Sequence, residues 1–256
     1  MMFRALLLSI LLGLSSVLPV YAQGSAGTKA SEEPRYLFNM PTAGVLSRGV
    51  YAVEGWFYSG GGSFASLSVG ISDRVTFGVA YGGGNIIGNG SPDWNKLPGV
   101  MFRYRIIEET LSMPAITIGF ESQGRENYLD AGDRFERKSP GFFAVATKNY
   151  AFLGFITLHG GINYSLETDD DEDPNFYVGI EKTIGSEVSV YSQYDFAIND
   201  NNETALGDGH GYLDLGVRWS LGKGMTLEFN LTNLTDNIKY LDSASRSVRL
   251  EFINKF

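Results

Sequence analysis

From Gly49 to the C-terminus, apolar residues alternate with small or polar ones in segments of about ten residues, the length of a tilted strand crossing a bilayer. The clearest segment runs from Phe155 to Glu167. Ile156, Leu158, Ile162, Tyr164 and Leu166 fall on one side of it, and Thr157, His159, Gly161, Asn163, Ser165 and Glu167 on the other. A period of two places such sets on opposite faces of a β-strand. The same alternation recurs at Ala65-Leu67-Val69-Ile71, Val75-Phe77-Val79-Tyr81, Val100-Phe102-Tyr104-Ile106, Ile116-Ile118-Phe120 and Phe143-Val145. It continues at Phe176-Val178-Ile180, Val188-Val190-Tyr194-Phe196, Leu213-Leu215-Val217-Trp219, Met225-Leu227-Phe229-Leu231 and Val248-Leu250-Phe252. With the weaker Tyr51-Val53-Phe57, the pattern predicts about twelve strands, the even total of a closed antiparallel barrel.

Connection lengths alternate too. Short ones fall at Ser72-Asp73, Glu108 to Met113, Lys148 to Tyr150, Gly185-Ser186 and Gly222-Lys223-Gly224, with longer polar ones at 83–97, 124–139, 168–175, 199–211 and 234–245. A membrane barrel has short turns on its periplasmic side and long loops outside. Ser59 to Ser63 breaks the scheme, being short where an outer loop belongs, and reads as a flexible hairpin end. Soluble sandwiches and barrels also alternate, but turn the apolar face inward. The loop alternation, the small residues on the polar face and a leader for export favour the inverted arrangement, an all-β closed antiparallel transmembrane β-barrel.

The leader is residues 1–22: Arg4 carries the positive charge, Ala5 to Leu18 are apolar, and Pro19-Val20-Tyr21-Ala22 ends with small residues suited to cleavage. Residues 23–48 form a polar N-terminal lead, aperiodic at its start and expected to be mobile, and 49–256 form the barrel. No cysteine follows the cleavage site, so a lipid anchor there is excluded.

Composition narrows the chemistry. Mean hydropathy is −0.07, which excludes a bundle of membrane-spanning helices but not a barrel. A net charge of −9 gives no footprint for nucleic acid. The absence of cysteine removes disulfides, thiolate metal sites and thiol nucleophiles, and two histidines, His159 and His210, make no histidine-rich metal centre. No cofactor is expected.

The last strand, Ser247-Val248-Arg249-Leu250-Glu251-Phe252-Ile253-Asn254-Lys255-Phe256, is amphipathic and ends on an aromatic residue. It resembles the closing strand of Gram-negative outer-membrane β-barrel proteins. That resemblance implies an outer-membrane location, lipid contact, and delivery to the outer-membrane assembly machinery through the strand ending at Phe256. The stretch Asn39 to Gly49, followed by Val69-Gly70-Ile71-Ser72-Asp73-Arg74, resembles YjbH-like barrels associated with exopolysaccharide production. This second resemblance implies an accessory role in polysaccharide export, with an envelope protein or polysaccharide as partner.

If the apolar set faces lipid, the interior is lined by Arg103, Arg105, Glu121, His159, Glu181, Asp195, Asp214, Arg218, Glu228, Arg249 and Glu251, joined by Glu54, Lys148, Glu167 and Lys255. Pairing around Lys223 sets Arg218 opposite Glu228, and Arg103 and Arg105 reach toward Glu121. Such a lining suits a narrow passive channel for small polar solutes, or a salt-bridged structural barrel. Twelve strands lie between filled eight-stranded barrels and open sixteen-stranded porins, and the expected lumen is narrow or occluded.

Catalytic patterns are poor, and no enzyme is expected. Neither His159 nor His210 is followed two residues later by the serine that outer-membrane lipases use, which leaves a membrane-embedded hydrolase as a remote alternative. Omptin-like proteases are matched only at Asp208-Gly209-His210, with the acidic run Asp169 to Asp173 as a chance second pair. That run lacks the glycine and glutamate spacing of a calcium loop and reads as a solvated, self-repelling loop.

Overall fold

A computed structural model describes residues 25–241 and 244–256; the leader expected over 1–22 lies outside them. Twelve long strands carry the alternation: β1 (Val50–Tyr58), β2 (Gly62–Ser72), β3 (Val75–Gly84), β4 (Gly99–Ile107), β5 (Ala115–Glu121) and β6 (Gly141–Ala151), then β7 (Phe155–Tyr164), β8 (Asn175–Thr183), β9 (Val188–Asp195), β10 (Tyr212–Gly222), β11 (Met225–Thr232) and β12 (Ser245–Lys255). Each pairs antiparallel with the next, and β12 closes on β1 from Val50 opposite Lys255 to Phe57 opposite Val248. Closure gives each of these twelve strands a partner on both sides, which the interior of a membrane requires.

The period-two reading is realised in the burial. On β10, Leu215, Val217 and Trp219 point outward and are exposed, whereas Tyr212, Asp214, Gly216 and Arg218 point inward and are buried. An outward band this apolar, running around the whole sheet, is the surface of a membrane barrel. Aromatic rings mark both rims. Tyr51 packs on Phe256 at the turn end, and Tyr81 stacks on Trp94 at the loop end with centroids 5.7 Å apart. Between β10 and β11, Gly222, Lys223 and Gly224 all have positive φ, near 84°, 54° and 82°, which two glycines make possible in so tight a turn.

One strand faces the other way from its expected reading. On β6, Phe143 and Val145 point into the barrel and are buried, while Phe142 and Ala144 face out. Their partners are Met40, Ala43, Ala115 and Tyr177, a small apolar cluster inside the lumen. Alternation alone cannot tell inward from outward where both faces are apolar. Lys148 on the same strand therefore leaves the interior: it is half-buried at the turn end and pairs with Glu109 at 3.1 Å. Lys255 is exposed at the end of β12, and Glu167 is half-buried in the β7–β8 loop, where it accepts from the Phe135 and Ser139 amides.

The N-terminal segment overturns the mobile-lead expectation. Residues 25–27 and 35–46 are buried inside the barrel, with exposed residues 28–31 between them at the turn end: Ser25 sits beside Thr226 and Glu251, and Thr28 and Lys29 donate to Gly185 and Ser186 in the β8–β9 turn. The chain then climbs to a tight hairpin, with Leu37 N donating to Met40 O and Thr42 N to Arg35 O, and descends to Gly49. Leu37, Phe38, Asn39, Met40 and Ala43 are buried almost completely. Wall glycines make room for it. A Cβ on Gly179 would lie 2.1 Å from Leu37 Cδ1, and one on Gly70 would lie 2.1 Å from Ser47 O. The two stretches behind the second resemblance meet here, since Gly49 N donates to Gly70 O and Arg48 N to Asp73 Oδ1.

Candidate functional site: a lumen closed from both ends

Strand register sets a ladder of charge across the wall. Glu228 on β11 stands opposite both Arg218 on β10 and Arg249 on β12, and Glu251 stands opposite Glu54 on β1. Arg218 bonds Glu228 at 2.7 Å and Glu181 at 2.5 Å, while Arg249 bonds Glu228 at 2.6 Å, Glu251 at 2.9 Å and Glu54 at 3.1 Å. Into this ladder the hairpin inserts Arg35, which pairs with Glu54 and with Glu251. Every one of these groups is nearly fully buried. Charges so confined persist only when paired, because removing a partner leaves an uncompensated ion away from water.

Next to Arg35, Tyr36 is clamped. Its ring carries the guanidinium of Arg103 at 4.4 Å and that of Arg125 at 3.8 Å from its centroid, and its hydroxyl donates to Glu121 at 3.0 Å. Glu121 also accepts from Arg125 at 2.7 Å and lies 3.7 Å from Arg103. Arg105, expected to reach Glu121, pairs with Glu33 of the hairpin and with Glu108. The hairpin supplies the nearer carboxylate.

The hairpin has little regular structure, so its backbone groups need outside partners. Wall side chains provide them. Gln193 Oε1 accepts from the amides of Phe38 and Met40, Thr147 from Ala43 and Thr76 from Leu46, while Tyr177 donates to Pro41 O and Thr117 to Ala43 O. Apolar contact adds to this, with Phe38 against Trp56 at 5.4 Å.

From the loop end, the β5–β6 loop, residues 122–140, folds inward as a cap. Arg137 makes a two-pronged bond to Asp214 at 2.6 and 3.0 Å, and Arg134 bonds Asp200 at 2.7 Å. Arg134 and Lys138 both pair with Asp170, and Asp171 is buried beside them. The run 169–173 is thus not simply a solvated, self-repelling loop; its middle is neutralised by cations of the cap. Asp195 is held by Asn175 Nδ2 at 2.7 Å. His159 is buried with Nδ1 bonded to Thr147 at 3.0 Å, while Asp208 and His210 are exposed on the β9–β10 loop.

Within the cap, Glu126 is buried with one oxygen unbonded. Burial pushes its carboxyl up to about 7 against the pull of Arg137, with Glu136, Asp214 and Asp200 pushing the same way as burial. A folded value above the unfolded one means that the folded cap holds the extra proton. Its stability is therefore full below the ordinary carboxylate range and falls as pH rises toward 7, by about 3 kcal/mol in all. Hydrogen exchange of residues 122–140, corrected for intrinsic rates, should be faster at pH 8 than at pH 5. Glu126→Gln should shrink the difference, leaving what Asp195 beside Arg137 contributes.

The interior residues named from sequence, Arg103, Arg105, Glu121, His159, Glu181, Asp195, Asp214, Arg218, Glu228, Arg249 and Glu251, are all buried, at 6% exposure or less. Residues lining an open pore would be wetted. Between hairpin, cap and wall lie spaces of about 10 Å³ beside Tyr36 and beside Arg137, each room for roughly one water. A chamber of about 300 Å³ lies at the turn end, between residues 25–34 and the inner faces of β6, β7 and β8. Sequence reasoning missed Arg35, Tyr36, Arg125 and Arg137. For the first two a signal existed: Tyr36-Leu37-Phe38 is an apolar run inside a lead read as polar.

This closed, charge-laced barrel can be set beside known proteins. No family model and no curated protein matches the chain. Among solved structures, the KdgM porin superposes with a TM-score of 0.52 over 81% of this chain and 99% of its own, at 7% identity. The fold is that of the outer-membrane β-barrel proteins. The same porin in complex with disordered oligogalacturonate gives 0.51 over the same shares at 7% identity. An outer membrane channel from Pseudomonas putida F1 gives 0.41 over 83% of this chain and 97% of its own, at 11% identity.

Proposed function

We propose that this chain is a self-plugged outer-membrane channel for small polar solutes, whose passage requires the N-terminal hairpin to leave the lumen. The observation that carries this reading is how the hairpin is held. It rises from the turn end and continues into the barrel wall at Gly49; apart from the Thr28 and Lys29 amides at the β8–β9 turn, the contacts named above are side-chain bonds and ion pairs that can break separately. Behind it stands a wall lined with both signs of charge, which favours polar solutes. The barrel shared with the KdgM porin supports a channel at the level of fold. The reading assigns no chemical step to the site and needs no cofactor.

Swelling of proteoliposomes in isotonic glucose tests it. Vesicles carrying the protein without residues 25–46 should swell at least tenfold faster than vesicles carrying the full chain. A structural or accessory barrel gives no swelling in either case. Because the deletion also removes partners of Glu54 and Glu251, Arg35→Ala combined with Tyr36→Ala in the full chain serves as a second route to the same result.

A further inference from the structure

The hairpin fills the middle of the lumen but not the turn end. Along β6, β7 and β8 the register places Asn149, Thr157 and Glu181 in one row, with Thr147 and His159 in the next. Within the rows Thr157 donates to Asn149 Oδ1 at 2.6 Å and Thr147 bonds His159 Nδ1 at 3.0 Å, which fixes these side chains against the wall and leaves the Thr157 hydroxyl oxygen free to accept. Opposite them the hairpin presents Gly27, Thr28 and Ala30, too small to fill the gap, and a chamber of about 300 Å³ is left. His159 Nε2 at this border has no protein partner although the residue is buried. The chamber is far larger than the two spaces of about 10 Å³ beside Tyr36 and beside Arg137 higher in the lumen.

The chamber is acidic. Glu181 is matched by Arg218 and Glu33 by Arg105, but Glu32 forms no ion pair among the described residues, its carboxylate accepting from the Ser47 amide at 3.3 Å. Hydroxyls and an amide supply both donors and acceptors, and the carboxylates accept only.

We infer that the turn-end chamber is a binding site for a small polyhydroxylated solute of about monosaccharide size, neutral or cationic and not anionic. The solute would touch the fixed wall through Thr157, Asn149 and Glu181 and the hairpin through Gly27, Thr28, Ala30 and Glu32, which makes the site a station on the path to the plug. That role rests on the channel reading; the site itself does not.

Histidine provides the readout, since the chain has only His159 and the exposed His210. In full-length protein labelled at histidine and held in lipid nanodiscs, the His159 ring resonances should shift saturably with glucose and with glucosamine, while His210 stays still. Glucuronate should bind at least tenfold more weakly, and Thr157→Val should weaken glucose binding at least fivefold. No saturable shift with any of the three sugars, glucuronate binding as tightly as glucose, or an unaffected Thr157→Val would each overturn the site. Swelling separates the two readings: binding without swelling in the plug-deleted barrel overturns the channel and leaves the site, and swelling without binding does the reverse.

Discussion

Alanine in place of Tyr36 should open the proposed channel, giving bursts of conduction where the wild type is expected to be silent. The ring meets two guanidiniums, each contact worth about 0.5–2 kcal/mol, and its hydroxyl bonds a carboxylate, worth about 1.5–3 kcal/mol. Removing all three loosens only the seated hairpin, because Arg103, Arg125 and Glu121 still have one another. With every 1.4 kcal/mol worth about tenfold in population, the open fraction in a planar bilayer should rise by at least tenfold. Tyr36→Phe keeps the ring and loses the hydroxyl, so its open fraction should fall between those of wild type and alanine. Equal silence in all three would mean that the clamp does not hold the plug.

Replacing Arg218 by methionine should cost about 3–5 kcal/mol in urea unfolding from lipid vesicles. The side chain fills its space, but Glu181 and Glu228, both buried, lose the cation that pairs them. The backbone carbonyl of Tyr36 loses a donor as well, which ties wall stability to the seated hairpin. Adding Glu228→Gln to Arg218→Met should recover some of the loss. Recovery will be incomplete, because Glu228 also pairs with Arg249. A cycle with no coupling between the two positions would contradict the β10–β11 register, since a slip of one residue turns one of the pair toward lipid.

That pairing was legible in the sequence because a tight turn and a period of two fix which residues face each other. The same two rules gave the strand number, the outward belt and the division into short turns and long loops. They work where one face meets hydrocarbon and the other does not. They fail at β6, where Phe143 and Val145 meet apolar residues of the hairpin inside the lumen and both faces are apolar. The hairpin itself has no period to read, as its backbone is satisfied by side chains more than a hundred residues away, such as Gln193 and Thr147. Arg105 shows the consequence: wall geometry alone sends it toward Glu121, and only the hairpin's Glu33 explains where it goes. The cap hid for a similar reason. Arg134, Arg137 and Lys138 look like ordinary loop cations until Asp170, Asp200 and Asp214 are seen around them.

The occupied lumen is tested most directly at Ala43, which is fully buried where the hairpin descends between Thr117 and Thr147. The chain has no cysteine, so Ala43→Cys introduces a single thiol with little change in volume. In the barrel folded into vesicles, a membrane-impermeant maleimide added on both sides should leave this thiol unlabelled for hours, while the urea-unfolded protein labels completely within minutes. Labelling of the folded barrel as fast as a cysteine at exposed Gly209 would show that residues 25–46 are a free lead, and would contradict the plug.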